Sequence, residues 1–107
     1  MQVSFILPIL NEQVFISDTL KSILNQKKSN GWQFEILIAD GGSTDGTLEI
    51  ISNIILKNPN VHLIKNPQKM VSTGFNLALN KANGEIIIRV DGHCEIAQNY
   101  IEKCYNL

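Results

Sequence analysis

Four short apolar, β-rich runs alternate with four amphipathic stretches along this chain, and that alternation restricts the fold more than any other feature. The first run is Val3-Ser4-Phe5-Ile6-Leu7, which Pro8 should end because proline cannot donate to a strand ladder. Between Gln13 and Asn25 the apolar residues Ile16, Leu20, Ile23 and Leu24 share one helical face. Residues 27–31 are polar and turn-forming, and Phe34-Glu35-Ile36-Leu37-Ile38 is the next strand. Gly41-Gly42 breaks it, and Ser43, Thr44 and Asp45 offer oxygens to cap a helix running to about Leu56, with Leu48, Ile51 and Ile55 inward.

The third strand is Val61-His62-Leu63-Ile64, closed by Asn66-Pro67. Val71, Phe75, Ala78, Leu79 and Ala82 then mark a third helix, with Asn83-Gly84 as its C-terminal stop. Residues 85–90 form a strand whose continuous run Ile86-Ile87-Ile88 suits a strand covered on both faces. A final helix from about Ala97 carries Tyr100, Ile101 and Cys104 on one side.

A β-α-β-α-β-α-β-α order predicts an α/β fold: a Rossmann-like, mainly parallel sheet with helices on both faces. Ligands of such sheets sit at the carboxyl ends of the strands. Three polar clusters fall there: Asn11-Glu12, residues 40–45 and Asp91-Gly92-His93. Three clusters on one edge predict a site.

Composition narrows the ligand. The chain has 107 residues, 44% of them apolar, enough for one modest core. Its net charge of -1 offers no general attraction to nucleic acid or anionic lipid. An anion must therefore be held by local groups. Cys94 and Cys104 fit no CxxC metal or redox pattern and read as reduced thiols of a cytosolic protein. The start of the chain lacks the basic flank and cleavage site of a signal peptide. No apolar stretch approaches the roughly 20 residues that span a bilayer.

In Asp40-Gly41-Gly42-Ser43-Thr44-Asp45-Gly46-Thr47 a carboxylate at a strand end can accept from a base N–H or ribose hydroxyls. The glycines permit a tight turn and close backbone approach. Asp45 and Thr47 read as ordinary turn and cap residues, whereas Asp40 caps nothing obvious and is the functional candidate. The cluster matches neither GxGxxG nor a P-loop. In Arg89-Val90-Asp91-Gly92-His93, Asp91 and His93 place two ligand atoms at a strand exit. With diphosphate oxygens they suit Mn2+ or Mg2+, which would neutralise charge on a diphosphate leaving group. Asn11 and Glu12 either start the first helix or contact a nucleotide. Lys69 and Asn76 lie near the third helix start and could reach phosphates or base, although Lys69 reads first as solvated surface. His62 reads as structural and Trp32 as packing.

Taken together, these motifs resemble family 2 glycosyltransferases, which have the GT-A fold. Val3-Ser4-Phe5-Ile6-Leu7-Pro8-Ile9-Leu10-Asn11-Glu12 is similar to their opening strand and turn, and residues 35–47 to their second strand and acidic turn. Asn66-Pro67, Gly74-Phe75-Asn76-Leu77-Ala78 and Ala82-Asn83-Gly84-Glu85 resemble their linker and third helix. Arg89-Val90-Asp91-Gly92-His93 stands where they carry a DxD motif. The Asp-Gly-Gly-Ser turn with an Arg-Val-Asp-x-His exit looks most like the succinoglycan-type exopolysaccharide subgroup.

This resemblance implies a nucleoside-diphosphate sugar donor, often a UDP-sugar, a divalent cation (Mn2+ or Mg2+), and inversion at the anomeric carbon. Pro8, Asn11 and Glu12 would wall the nucleoside pocket, Asp40 would contact base or ribose, and Asp91 ribose or diphosphate. His93 would stand where a second carboxylate usually binds metal. Gly41 replaces the second Asp of the common Asp-Asp turn, which bears on base selectivity. His93 for Asp removes one negative charge from the metal site. The family's later catalytic acid and its Q/R-x-x-R-W segment have no counterpart before Leu107, and Glu95 and Glu102 are poor substitutes. An inverting transfer needs that base. Residues 1–107 thus read as the donor-binding part of a GT-A domain truncated at its C-terminus, with no catalytic residue of its own.

The implied parent acts on a saccharide or lipid-linked acceptor, in the cytoplasm or at the inner face of the membrane. One rival is a non-catalytic module that folds and forms a homodimer through surface exposed by truncation. Another is a nucleotidyltransferase, which would want a cationic loop where Pro8-Ile9-Leu10-Asn11-Glu12 stands.

Overall fold

Alternating apolar residues in the first run already sort the chain into two layers. The computed structural model describes residues 2–26 and 33–100. Four parallel strands, β1 (Gln2–Ile9), β2 (Gln33–Asp40), β3 (Val61–Lys65) and β4 (Ile86–Arg89), form one sheet in the order β3-β2-β1-β4. The connecting helices are α1 (Ile16–Leu24), α2 (Thr47–Lys57) and α3 (Val71–Lys81). Val3, Phe5, Leu7 and Ile9 of β1 join Ile36, Ile38, Ile88 and Val90 in the main core, beneath Ile16, Leu20 and Ile23 of α1 and Ile51 of α2. Ile6, Leu37 and Ile64 face the other way, against Ala78 of α3. Because side chains alternate, a register slip of one residue would exchange these two sets. Gly74 lets α3 lie close to the sheet: a Cβ there would stand 2.8 Å from Asn66 Nδ2 and 3.3 Å from the Ala39 Cβ.

Several expectations need correction. β1 does not stop at Pro8 but runs to Ile9, with Pro8 in register with Ala39. The Ile6 carbonyl accepts from Val90 N–H and the Ile9 carbonyl from Gly41 N–H, so alternation turns Pro8 towards the β4 side. There β4 has already ended at Arg89, and the missing donor costs no ladder bond. The Ile86-Ile87-Ile88 run is not covered on both faces. α3 packs over β1, β2 and β3, and Ile87 on that side of β4 stays 37% exposed. α1 begins at Ile16 rather than Gln13.

Gly84 is not a left-handed helix stop, since Gly42 is the one glycine with positive φ among the described residues. It is required by proximity: a Cβ at Gly84 would lie 2.6 Å from the Ser4 nitrogen. Gly84 N–H donates to Ser4 Oγ at 2.8 Å, Ser4 Oγ–H donates to Glu35 Oε2 at 2.6 Å, and Asn83 N–H donates to the same carboxylate oxygen at 2.7 Å. This buried network ties the start of β4 to β1 and β2 at the sheet's amino edge. The turn at 27–31, Trp32, Ile101, Glu102 and Cys104 lie outside the described residues. Among the described residues no helix is long and apolar enough to cross a membrane.

Candidate functional site

At the carboxyl edge of the sheet, two hydroxyl relays join the loop after β1 to the turn after β2. Asn11 N–H donates to Ser43 Oγ at 2.9 Å, and Ser43 Oγ–H donates to Asp40 Oδ1. Glu12 N–H donates to Thr47 Oγ1 at 2.9 Å, and Thr47 Oγ1–H donates to Asp45 Oδ1. Asn11 Oδ1 accepts Thr44 N–H at 2.8 Å, and Gln13 Oε1 accepts Gly46 N–H at 2.7 Å. Asn11 reaches this position with φ of 51°, a left-handed conformation that Asn tolerates better than most residues. The Thr47 hydroxyl, followed by backbone N–H donors, holds the Asp45 carboxyl below its usual range.

These relays settle what Asn11 and Asp40 do locally. Asn11 caps no residue of α1; its side chain satisfies N–H groups just before α2. Asp40 does cap something, contrary to expectation. Its carboxylate accepts Gly42 N–H at 3.0 Å, Ser43 N–H at 3.1 Å and the Ser43 hydroxyl, and it is only 6% exposed. A carboxylate has about four acceptor sites, so about one is left for a ligand. At α2, Gly46 takes the cap position, and Asp45 Oδ1 receives Thr47 N–H at 2.9 Å.

An open cavity of about 230 Å³ lies where β1 and β4 separate, lined by Pro8, Glu12, Lys69, Arg89, Asp91 and His93 among others. The strand order reverses at this point of the sheet, the place where open α/β folds bind ligands. A second cavity of about 290 Å³, mostly apolar, is lined by Asp40, Gly41, Gly42, Leu48, Leu63 and Lys69. Lys69 and Asn66 line both, so the two adjoin. Each alone falls below the roughly 300–1,000 Å³ of typical ligand pockets. Asn76 belongs to neither: it is exposed on α3 beside a separate hollow with Gln68, Thr73 and Asn80.

The exit of β4 gathers possible cation ligands. Donor atoms of Asp91, His93 and Cys94 lie within 4.8 Å of one another. Glu12 Oε1 stands 3.7 Å from His93 Nδ1, and Phe15 meets the His93 ring edge-on at 6.5 Å between centroids. Arg89 pairs with Asp91 at 3.5 Å, both about half exposed. Gly92 allows the turn to press on β1, because a Cβ there would come within 2.9 Å of Ile9 Cγ2 and 3.0 Å of Glu12 Cγ. A carboxylate and an imidazole with open positions beside them fit a divalent cation that completes its shell with ligand oxygens.

Lys69 is exposed, as expected of a solvated lysine, and it also stands between the two cavities, with φ of 64°. A strained, non-glycine residue at a cleft is a functional signal that no sequence pattern carries. Arg89 and Asn66, to which the motifs assign no role of their own, line the first cavity as well. Asn66 is buried, donates from Nδ2 to the Met70 carbonyl at 2.8 Å, and gives its N–H to the Asp40 carbonyl at 2.8 Å. His62 is exposed on the outer strand β3 and lines none of these cavities.

The family described as glycosyl transferase family 2 matches residues 4–107. An uncharacterized glycosyltransferase of Haemophilus influenzae is 35% identical over 105 residues, covering 97% of this chain and 41% of its own length. The succinoglycan biosynthesis protein ExoA of Rhizobium meliloti is 31% identical over 100 residues, covering 92% and 30%. The chain thus spans less than half the length of these curated relatives. Among solved structures, S. aureus TarS 1-349 superposes with a TM-score of 0.87 at 26% identity, covering 99% of this chain and 32% of that one. The same TarS fragment in complex with UDP-GlcNAc gives 0.82 at 25% identity, covering 99% and 30%. The mannosyltransferase PcManGT from Pyrobaculum calidifontis, in complex with GDP-Man and Mn2+, gives 0.80 at 27% identity, covering 90% and 29%.

Proposed function

The chain belongs to glycosyl transferase family 2 and has the GT-A fold, and from that premise we propose that it is the donor-binding part of an inverting glycosyltransferase. Its ligand is a nucleoside-diphosphate sugar, a UDP-sugar first, held with Mn2+ or Mg2+. Structural neighbours in complex with UDP-GlcNAc, and with GDP-Man and Mn2+, support that class of ligand. The observation that carries the reading is the pair of adjoining cavities at the sheet's switch point, with Asp40 and Gly41 in one and Asp91 and His93 in the other.

In this reading the nucleoside lies along Pro8 and Gly41, and the last acceptor site of Asp40 receives a base N–H or ribose hydroxyl. Asn11 acts through Ser43 to hold that carboxylate. The diphosphate lies near Lys69 and Arg89, the cations lining the first cavity. Asp91 and His93 hold the divalent ion, which when bound supplies charge neutralisation at the leaving diphosphate. Asn76, away from both cavities, has no part in it. Acceptor binding and the general base belong to a longer parent protein of the exopolysaccharide-synthesising kind, working in the cytoplasm or at the inner membrane face.

Calorimetry with UDP tests this. Binding in the presence of Mn2+, weakened at least about tenfold by Asp91→Ala, is the expected result. Equal affinity with and without the cation would remove the cation role. A second reading, self-association without useful ligand binding, is favoured only by exposed apolar residues such as Ile87 and Leu79. Sedimentation showing a monomer that binds UDP would dismiss it.

A further inference from the structure

The turn that leaves β4 has a geometry that the spacing of Asp91 and His93 alone does not convey. Cys94 N–H donates to the Asp91 carbonyl at 3.1 Å, closing a four-residue turn with Gly92 and His93 at its centre. Such a turn brings its first and last residues within about 7 Å, so Asp91 and Cys94 meet at its base. Thr19, fully buried on α1, donates its hydroxyl to the Gly92 carbonyl at 3.2 Å. One turn further along the same helix face Ser22 Oγ accepts Ile96 N–H at 3.1 Å, and just beyond the helix end Gln26 Nε2 donates to the Ala97 carbonyl at 2.6 Å. This polar stripe fixes the backbone on both sides of Cys94. The Cys94 side chain is half-buried against the main core, which limits its range of positions.

We propose that Cys94 completes a three-donor cation site with Asp91 and His93, and that this site takes a thiophilic divalent ion such as Zn2+ or Co2+ ahead of Mg2+. The inference rests on the reading of this rim as a cation site and adds a ligand and a preference to it. A tetrahedral ion with bonds of about 2.0–2.3 Å holds its donors roughly 3.3–3.8 Å apart. The three donor atoms here already lie within 4.8 Å. The exposed Asp91 and His93 side chains close the remaining difference of about 1 Å, Asp91 leaving only a weak surface pairing with Arg89. Thiolate and imidazole select Zn2+ over the oxygen-seeking Mg2+. The thiol proton passes to solvent as the sulfur binds. The fourth position stays open for an oxygen of the donor.

The test is a Co2+ titration of the full 107-residue chain carrying Cys104→Ser, so that Cys94 is its single thiol. A sulfur-to-cobalt charge-transfer band saturating at one ion per chain is expected. Cys94→Ser should abolish the band and weaken Zn2+ at least about tenfold, while Mn2+ affinity changes less than about twofold. Cys94→Ala, which keeps an apolar contact with the core, is the second variant should the serine form fail to fold. No charge-transfer band in the single-thiol chain, or a band that survives in the Cys94 variants, overturns the proposal. UDP titrations run in parallel separate the two readings. A cobalt–thiolate band without UDP binding defeats the donor reading and leaves the three-donor site standing. UDP binding without the band does the reverse.

Discussion

The backbone N–H of Glu12 donates to the Thr47 hydroxyl across 2.9 Å, linking the loop after β1 to the first residue of α2. That hydroxyl in turn donates a hydrogen bond to Asp45, so one threonine fixes two loops. Ser43 does the same between Asn11 and Asp40. The carboxyl rim is therefore a cross-linked shelf, and Glu12 is carried on it into the cavity shared with His93.

Thr47→Val removes that link while keeping the side-chain shape. It leaves the Glu12 N–H without its acceptor and should cost about 1–3 kcal/mol in urea denaturation. Thr47→Ser should restore most of the loss.

The same substitution moves a titration. The Thr47 hydroxyl is the main cause of the lowered Asp45 pKa, so Thr47→Val should raise it towards the ordinary value of 3.8, as read by carboxyl-carbon NMR. The sign for stability follows. A depressed carboxyl pKa contributes stability above its unfolded value, and that contribution is lost as pH falls through the folded value. The intact protein should therefore lose this contribution only at acid pH, and the valine variant should keep only the smaller part that the backbone N–H donors supply.

Asp40→Asn should act twice. The amide sets N–H donors against the turn's own donors at Gly42 and Ser43, costing about 1–3 kcal/mol of stability. If Asp40 also meets the nucleotide, UDP affinity falls beyond what Ser43→Ala produces, which loosens the carboxylate but leaves it in place. Equal losses in the two variants would reduce Asp40 to a turn residue.

Gly84→Ala tests the far edge of the sheet. Its Cβ would press on the Ser4 nitrogen at 2.6 Å and disturb the Ser4–Glu35 bond. A loss of about 1–3 kcal/mol, as for overpacking elsewhere, is expected in thermal or urea melts. UDP affinity at temperatures where the variant stays folded should not change, because this network lies at the opposite end of the strands.

Much of this was legible in the sequence because periodicity reports burial. Val3, Phe5 and Leu7 announced one face of β1, and the strand-end carboxylates marked the rim. Proline misled the reading at Pro8, since only the neighbours of a strand decide whether its missing donor matters. Ile87 misled it because hydropathy cannot say that α3 stops short of β4. Asp40 was singled out as capping nothing, yet it caps its own turn, a bond to residues two and three positions on that composition does not disclose. The sequence offers Lys69 as able to reach phosphates or base, but its left-handed conformation, with φ of 64°, leaves no signature in a lysine. The stripe of Thr19, Ser22 and Gln26 has helical spacing, but its partners lie more than 70 residues away.

The most direct measurement is an amide NMR map of the isotope-labelled chain titrated with UDP, first alone and then with trace Mn2+. UDP is expected to shift Gly41, Gly42 and Lys69 together with Gly92, and paramagnetic broadening is expected to centre on residues 91–94. Shifts confined to one cavity, or broadening centred on the Asn76 hollow or the amino edge near Glu35, would contradict the donor-binding reading.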